Sequence, residues 1–253
     1  GLAAGGMRPV VGIYSTFLQR SYDQLYHELS LNRNLPVVLL VDRAGLVGAD
    51  GETHQGAYDI AYLRSLPNVR LAAPADEAEL RGMLSLGLTL DGPLAIRYPR
   101  DRVGDRRLSE QPVELGRAAV LRRGSQGCLY AYGAPVQAAL AAAEQLAAEG
   151  VDLTVVSARF CKPLDEELLR QLLTESPWVA TVEEGTRLGG FGSACLEFAQ
   201  TVGLAGKLAA SLALPDELIG HAPRGRLLTR FGLDAAGVAA SVRRIVGGRK
   251  NQA

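Results

Sequence analysis

The chain has 253 residues, 47% of them hydrophobic and 21% charged, which is enough to bury a real core in one large domain or two small ones and excludes disorder as the main state. Lysine plus arginine and aspartate plus glutamate each number 27. No overall positive field therefore draws in nucleic acid or anionic membrane, and any anion binding has to be local. The 29 glycines exceed the usual share of roughly 7% and point to many tight turns. Cys128, Cys161 and Cys195 are too few and too far apart for a disulfide framework or zinc site. Set among apolar residues, they read as small core side chains in a reducing, cytoplasmic compartment. The longest apolar runs have strand length, short of the roughly 20 residues of a membrane span, and the amino terminus lacks the charged head and apolar core of a signal peptide. Opening on Gly1 rather than Met, the chain is expected to be part of a longer polypeptide.

In chain order, residues 10–14 read as a strand, 21–32 as a helix and 36–42 as a second strand. A glycine-rich loop at 43–56 follows, then a short helix at 57–66, a strand at 69–72, a helix at 76–86 and a strand at 94–98. Apolar strands without polar alternation, separated by helices, predict a parallel sheet covered on both faces. Residues 99–116 are charged, proline-bounded and aperiodic, as an interdomain linker would be. Alternation then resumes with strands at 128–132, 153–157, 179–183 and 207–212 and helices at 136–148, 165–173, 192–202 and 235–246. The expected fold is α/β, with two doubly wound domains: residues 1–108, a linker at 109–116, and a separate, smaller unit at 117–253.

Polar residues gather where three strands of the first domain end, the usual place for ligands in parallel sheets. The first group is Tyr-Ser-Thr-Phe-Leu-Gln-Arg at 14–20. On its chemistry alone, Tyr14 and Phe17 read as core and Arg20 as solvated. The second is Asp-Arg-Ala-Gly-Leu-Val-Gly-Ala-Asp-Gly-Glu-Thr-His-Gln-Gly at 42–56. Its glycines let the backbone approach a ligand, while Arg43, Asp50 and His54 offer a permanent cation, an acceptor and a proton-exchanging group. A catalytic and an incidental His54 stand level at this stage. The third is Arg-Tyr-Pro-Arg at 97–100, which alone reads as the start of a basic linker. In the second domain, Gly-Gly-Phe-Gly-Ser at 189–193 lacks the spacing of a dinucleotide loop and reads as a tight strand-to-helix turn. Glu183 and Glu184, adjacent in an extended chain, point to opposite faces and do not form a catalytic pair. His221 lies in a loop that could meet an interface.

Together, these three words and Lys-Pro-Leu-Asp at 162–165 closely resemble the 1-deoxy-D-xylulose-5-phosphate synthase family of the transketolase superfamily. The likeness runs through Thr-Val-Glu-Glu at 181–184 and Gly-Leu-Asp-Ala-Ala-Gly at 232–237. The resemblance implies a pyrimidine-binding domain lacking its amino-terminal part, followed by a transketolase C-terminal domain. It implies thiamine diphosphate as cofactor and Mg²⁺ held by an amino-terminal domain not in this chain, where neither a Gly-Asp-Gly motif nor the Glu that activates the aminopyrimidine occurs. It further implies pyruvate and D-glyceraldehyde 3-phosphate as substrates, a homodimer, and a chain inactive alone. Carried over by position, Phe17 and Arg20 bind the cofactor. Tyr14, Arg43, Asp50, His54 and Arg100 form the acceptor pocket, with His54 and Asp50 catalytic and Arg43 and Arg100 a phosphate clamp that Asp101 would partly neutralise. Two rivals are a noncatalytic binding or assembly subunit and a 2-oxo acid dehydrogenase β subunit; the paired arginines speak against the second.

Overall fold

The computed structural model describes residues 1–32, 35–102 and 107–250. In chain order the first unit runs β1 (Val10–Tyr14), α1 (Ser15–Leu18), a 3-10 turn (Gln19–Ser21), α2 (Tyr22–Gln24), a π-helical stretch (Leu25–Leu31), β2 (Val38–Asp42), two 3-10 turns (Gly48–Asp50 and Glu52–His54), α3 (Asp59–Arg64), β3 (Arg70–Ala72), α4 (Glu77–Gly87) and β4 (Leu94–Arg97). The second runs β5 (Ala119–Arg122), β6 (Cys128–Tyr132), α5 (Pro135–Ala147), β7 (Thr154–Ser157), β8 (Phe160–Lys162), α6 (Glu166–Glu175), β9 (Val179–Thr186), α7 (Phe191–Thr201), a 3-10 turn (Ala205–Lys207), β10 (Leu208–Leu214), α8 (Arg224–Phe231) and α9 (Ala235–Lys250).

Every residue of β4 and β6 is buried, as strands covered by helices on both faces must be. The helices have local causes. Asp76 and Asp165 cap α4 and α6 by accepting the amides of Glu79 and Leu168. Pro135 opens α5, and Gly232, at φ 67°, closes α8 in the left-handed region. On α5, Val136, Ala139, Ala142, Ala143 and Leu146 are buried, the spacing of one helical face.

The expected helix at 21–32 departs from a regular α-helix. Ser30 donates to the Pro67 carbonyl at 2.5 Å, and its own carbonyl accepts from Asn68 at 3.0 Å. The wide turn thus holds Ser30 against the 67–68 corner, with Leu29 and Ser30 both buried. The sheets are parallel as expected except at one edge of each. The strand orders are β1-β2-β4-β3-β8 and β10-β9-β6-β7-β5, and the edge strands β8 and β5 run antiparallel to β3 and β7.

The second unit is not separate, nor is it the smaller. Its β8 joins the sheet of the first, with Leu71 opposite Lys162 and Ala72 opposite Phe160. Residues of both units, among them Val41, Leu71, Tyr130 and Phe191, pack into one continuous core. Just before β8, Arg159 is fully buried and fastens three segments. It pairs with Glu79 of α4 at 2.8 Å and donates to the carbonyls of Gln111 and Pro112 in the linker. The predicted linker has no regular structure at 107–116, and its residues 103–106 lie outside the described residues. The three cysteines are free and buried, as expected.

Replacing Arg159 with Met leaves the Glu79 carboxylate buried without its counter-charge. Arg159→Met should therefore destabilise the chain by about 3–5 kcal/mol, read as a lower urea midpoint. Adding Glu79→Gln should recover part of that loss, because the stranded charge goes with it.

Candidate active site

Three adjacent strands deliver the site. In register, Tyr14 at the end of β1 lies opposite Asp42 at the end of β2, and Val41 lies opposite Arg97 at the end of β4. The chain order β1, β2, β4 thereby becomes a spatial row, and Tyr14, Arg43 and Arg100 all emerge at its carboxyl end. Backbone bonds from Tyr98 to Val41 and from Ala44 to Tyr98, each 3.0 Å, hold the exits of β2 and β4 together.

The glycine-rich loop leaves β2 and is pinched shut at its base, where Gly45 and Gly56 exchange two backbone hydrogen bonds of 2.7 Å. No side chain fits there, since a Cβ on Gly56 would lie 2.1 Å from the Arg43 carbonyl oxygen. Arg43 itself takes φ 57°, a left-handed conformation that costs a residue with a side chain roughly 1 kcal/mol or more. The Asp42 carboxylate offsets this by accepting the Arg43 amide at 2.7 Å and its guanidinium at 2.5 Å.

The Arg43 guanidinium lies 3.7 Å from the centroid of the Tyr14 ring, a cation–π contact. Its Nε donates to Asp50 at 2.8 Å, and the other Asp50 oxygen accepts from Arg100 at 2.5 Å. One carboxylate thus stands between two guanidinium groups that are far apart in sequence. The hydrogen bond from Arg43, opposed by desolvation and assisted by Arg100, holds the Asp50 carboxyl below the usual range. Burial pulls the Arg43 guanidinium down, but its bond to Asp50 and the field of Asp42 prevail and raise it.

Aromatic rings form the other wall. Tyr14 and Phe17 stack with centroids 5.4 Å apart, and the His54 ring meets Phe17 edge-on at 5.1 Å. The His54 Nδ1 shares a 3.0 Å hydrogen bond with the Thr53 hydroxyl, which leaves Nε2 for a ligand. Phe17 is 40% exposed. Reading Phe17 as core from its chemistry alone is therefore wrong: the ring offers a flat apolar face to solvent. Such a face suits stacking by a planar heteroaromatic ring, so these residues fit the aminopyrimidine of thiamine diphosphate. Among the described residues, no group of three His, Cys, Asp or Glu side chains could hold a metal ion.

Of the seven predicted site residues, the structure brings together Tyr14, Phe17, Arg43, Asp50, His54 and Arg100. Arg20 is exposed on the turn after α1 and has no part in this cluster. Asp101 does not neutralise Arg100 by direct pairing; it pairs with Arg224 at 2.7 Å, and Asp50 is the carboxylate on the clamp.

Several residues behind the site escaped the sequence reading. Arg97 is a buried strand residue that pairs with buried Asp59 at 3.0 Å, so the basic-linker reading fails for it. A cation ending a wholly apolar strand was its available signal. Glu183 and Glu184 do diverge as expected. Glu183 accepts the amides of Phe191 and Gly192 at 2.8 and 2.7 Å, at the start of α7, so the turn at 189–193 is closed by the protein's own carboxylate. Glu184 turns toward the glycine-rich loop, accepting the Leu46 amide at 2.6 Å. The His221 loop also meets that loop: Gln55 donates to the Gly220 carbonyl at 3.4 Å.

Comparison with known proteins agrees with this arrangement. Residues 1–105 match the family model of the transketolase pyrimidine binding domain, and residues 116–238 match that of the transketolase C-terminal domain. The chain belongs to the transketolase family. It is 51% identical over 98% of its length to a 1-deoxy-D-xylulose-5-phosphate synthase of Anaeromyxobacter sp. (strain Fw109-5), of which it spans 40%. It is 49% identical over 92% of its length to the Rhodopirellula baltica protein of the same name, spanning 36% of it. Among solved structures, a split gene transketolase, described as an inactive β4 tetramer, superposes with a TM-score of 0.85 at 28% identity, covering 97% of this chain and 78% of the other. No helix among the described residues is long and apolar enough to cross a membrane.

Burial pushes the Glu183 carboxyl up to about 7, against the two helix amides that favour its ionised form. A carboxyl raised in the folded state binds its proton more tightly there than when unfolded, so its contribution is full below the ordinary value of 4.5 and is lost as pH rises through about 7. Denaturation midpoints should accordingly fall between pH 5 and pH 8, and Glu183→Gln should flatten that part of the profile.

Proposed function

We propose that this chain supplies the acceptor pocket and the pyrimidine-stacking wall of a 1-deoxy-D-xylulose-5-phosphate synthase. That enzyme condenses pyruvate with D-glyceraldehyde 3-phosphate, with loss of CO₂, to feed isoprenoid, thiamine and pyridoxal synthesis. The observation that carries this reading is the convergence of Tyr14, Phe17, Arg43, Asp50, His54 and Arg100 at the ends of β1, β2 and β4. When bound, thiamine diphosphate would supply the carbanion that attacks pyruvate and the sink for the electrons left on decarboxylation. Phe17 would stack on its aminopyrimidine and Arg20 would border it. Mg²⁺ would be held by residues outside this chain.

The remaining work falls to the chain's own groups. Two guanidinium forks are the preferred partners of a phosphate dianion. Arg43 and Arg100 would grip the acceptor's phosphate, which competes with the Asp50 carboxylate for the same donors. An aldehyde with a dianionic tail is thereby favoured over pyruvate, a monoanion. Released from one arginine, Asp50 can accept from a substrate hydroxyl, and His54 Nε2 can donate to the aldehyde oxygen as it gains charge. Tyr14 fixes Arg43 from below through its ring.

The enzyme would work in the cytoplasm as a homodimer. A second reading, a separately encoded subunit, is favoured by the likeness to a split gene transketolase. One experiment tests both. With pyruvate, D-glyceraldehyde 3-phosphate, thiamine diphosphate and Mg²⁺, the chain alone is expected to give no product. The same chain fused to, or mixed with, the missing amino-terminal portion, which includes the amino-terminal domain and the start of the pyrimidine-binding domain, should give 1-deoxy-D-xylulose 5-phosphate; success only on fusion argues against the subunit reading, and turnover by the chain alone against the division of labour proposed here. In the active form, Arg100→Ala should lower kcat/KM for the phosphorylated aldehyde by roughly 10- to 200-fold, the scale of a charge-assisted hydrogen bond. D-Glyceraldehyde should lose far less and the KM for pyruvate should hardly move; equal losses with both aldehydes would remove Arg100 from the phosphate.

A further inference from the structure

The loop that carries Arg43, Asp50 and His54 is gripped at its middle by two side chains of the other unit. At Leu46, both backbone groups are taken by an ion pair. The amide donates to Glu184 at 2.6 Å, the carbonyl accepts from Arg224 Nε at 3.0 Å, and Glu184 and Arg224 meet at 2.5 Å. The grip is close-fitting. A Cβ on Gly45 would lie 2.6 Å from the Glu184 carboxyl group, and one on Gly48 would lie 2.8 Å from the Arg224 amide nitrogen. Leu46 is wholly buried, and Glu184 is 3% exposed. The third nitrogen of the same guanidinium, Nη1, reaches Asp101 at 2.7 Å, the residue next to Arg100. Arg224 therefore touches both supports of the two-arginine clamp, the loop behind Arg43 and the segment behind Arg100.

The first unit ties the loop near its ends and tip: Ala44 donates to the Tyr98 carbonyl, Gly56 accepts from Arg97, and Asp50 pairs with Arg100. Within the loop, Val47 is held by Gln55 and Gly45 by Gly56. The Leu46 backbone and Asp101 are joined instead through Glu184 and Arg224 of the other unit.

We propose that Glu184 and Arg224 are positioning residues, which hold the glycine-rich loop in register with the segment after β4 and so set the spacing of Arg43 and Arg100. The loop-holding role stands on the geometry alone; its consequence for an acceptor phosphate rests on the function proposed above. The second unit then tunes affinity for a phosphorylated acceptor without touching it. A fork is required, because one side chain bonds Glu184, the Leu46 carbonyl and Asp101 through three different nitrogens.

The test uses the chain itself with inorganic phosphate as probe. Arg224→Met, Arg224→Lys and Glu184→Gln are compared by hydrogen exchange over residues 43–56 and 128–146 and by calorimetric phosphate titration. Glu184→Gln still offers an oxygen to the Leu46 amide, which protects the fold if Arg224→Met proves too severe. In Arg224→Met, exchange at 43–56 should speed about 10-fold or more, the scale of one lost charge-assisted bond, with 128–146 unchanged. The phosphate Kd should rise by about the same factor, and Arg224→Lys should restore only part of it. Unchanged exchange at 43–56 in both Arg224→Met and Glu184→Gln overturns the proposal, as does loosening that reaches 128–146 equally, which marks a general role in the fold. Loosening confined to 43–56 in a chain whose wild type binds no phosphate upholds the loop-holding role and counts against the acceptor pocket.

Discussion

Arg97 is the point on which the rest of the molecule turns. Its Nε faces the Asp59 carboxylate at 3.0 and 3.2 Å, while Nη2 donates to the Glu184 carbonyl at 3.0 Å and toward that of Gly56 at 3.4 Å. One side chain thereby joins β4, the start of α3, the base of the glycine-rich loop and β9 of the other unit. Burying two opposite charges costs several kcal/mol each in desolvation, so the pair contributes little net stability over an apolar replacement. What it contributes is uniqueness. Any packing that separates these four segments leaves an uncompensated charge in the core, and the guanidinium stays ionised because Asp59 outweighs the desolvation that opposes it.

Around that centre the site is assembled from opposed demands. Arg43 adopts a left-handed backbone that the Asp42 side chain stabilises, and Asp50 lies between two cations that would otherwise repel. The glycines answer to conformation and crowding together. Gly45 and Gly48 take φ 78° and 65° and also lie where the other unit's side chain or backbone leaves no space for a Cβ. The tight turns that the abundance of glycine predicts are thus, at these positions, also places of close approach between two pieces of the chain.

Local chemistry explains what the sequence disclosed. Strands announce themselves as short apolar runs, so β1, β2, β3, β4, β6, β7, β9 and β10 were all legible, with ends a residue or more out in several. The short β8 was not, because Phe-Cys-Lys becomes a strand only by pairing with β3 on the other unit. Helix α8 was missed because Arg-Gly-Arg-Leu-Leu-Thr-Arg-Phe is short and mostly polar, although Leu227, Leu228 and Phe231 all pack against the core. At the site, the word around Arg43 and His54 was legible as chemistry, whereas the one around Tyr14 read as core and rose above that only through the family resemblance. The placement of Asp50 between Arg43 and Arg100 was not legible, since it depends on β2 and β4 being neighbours. Arg224 gave no signal at all, because its partners Leu46, Asp101 and Glu184 converge only once both units are folded.

The strand that crosses from one unit to the other has a consequence for how this chain can be made. Leu71 finds its sheet partner at Lys162, so the edge of β3 stays bare until the ribosome has passed well into the second unit. A polypeptide ended at the linker would carry that open edge permanently, and an unpaired strand edge is a template for pairing with other chains. Synthesis and assembly are thus coupled: the pyrimidine-binding unit is finished by residues that belong, in sequence, to its neighbour.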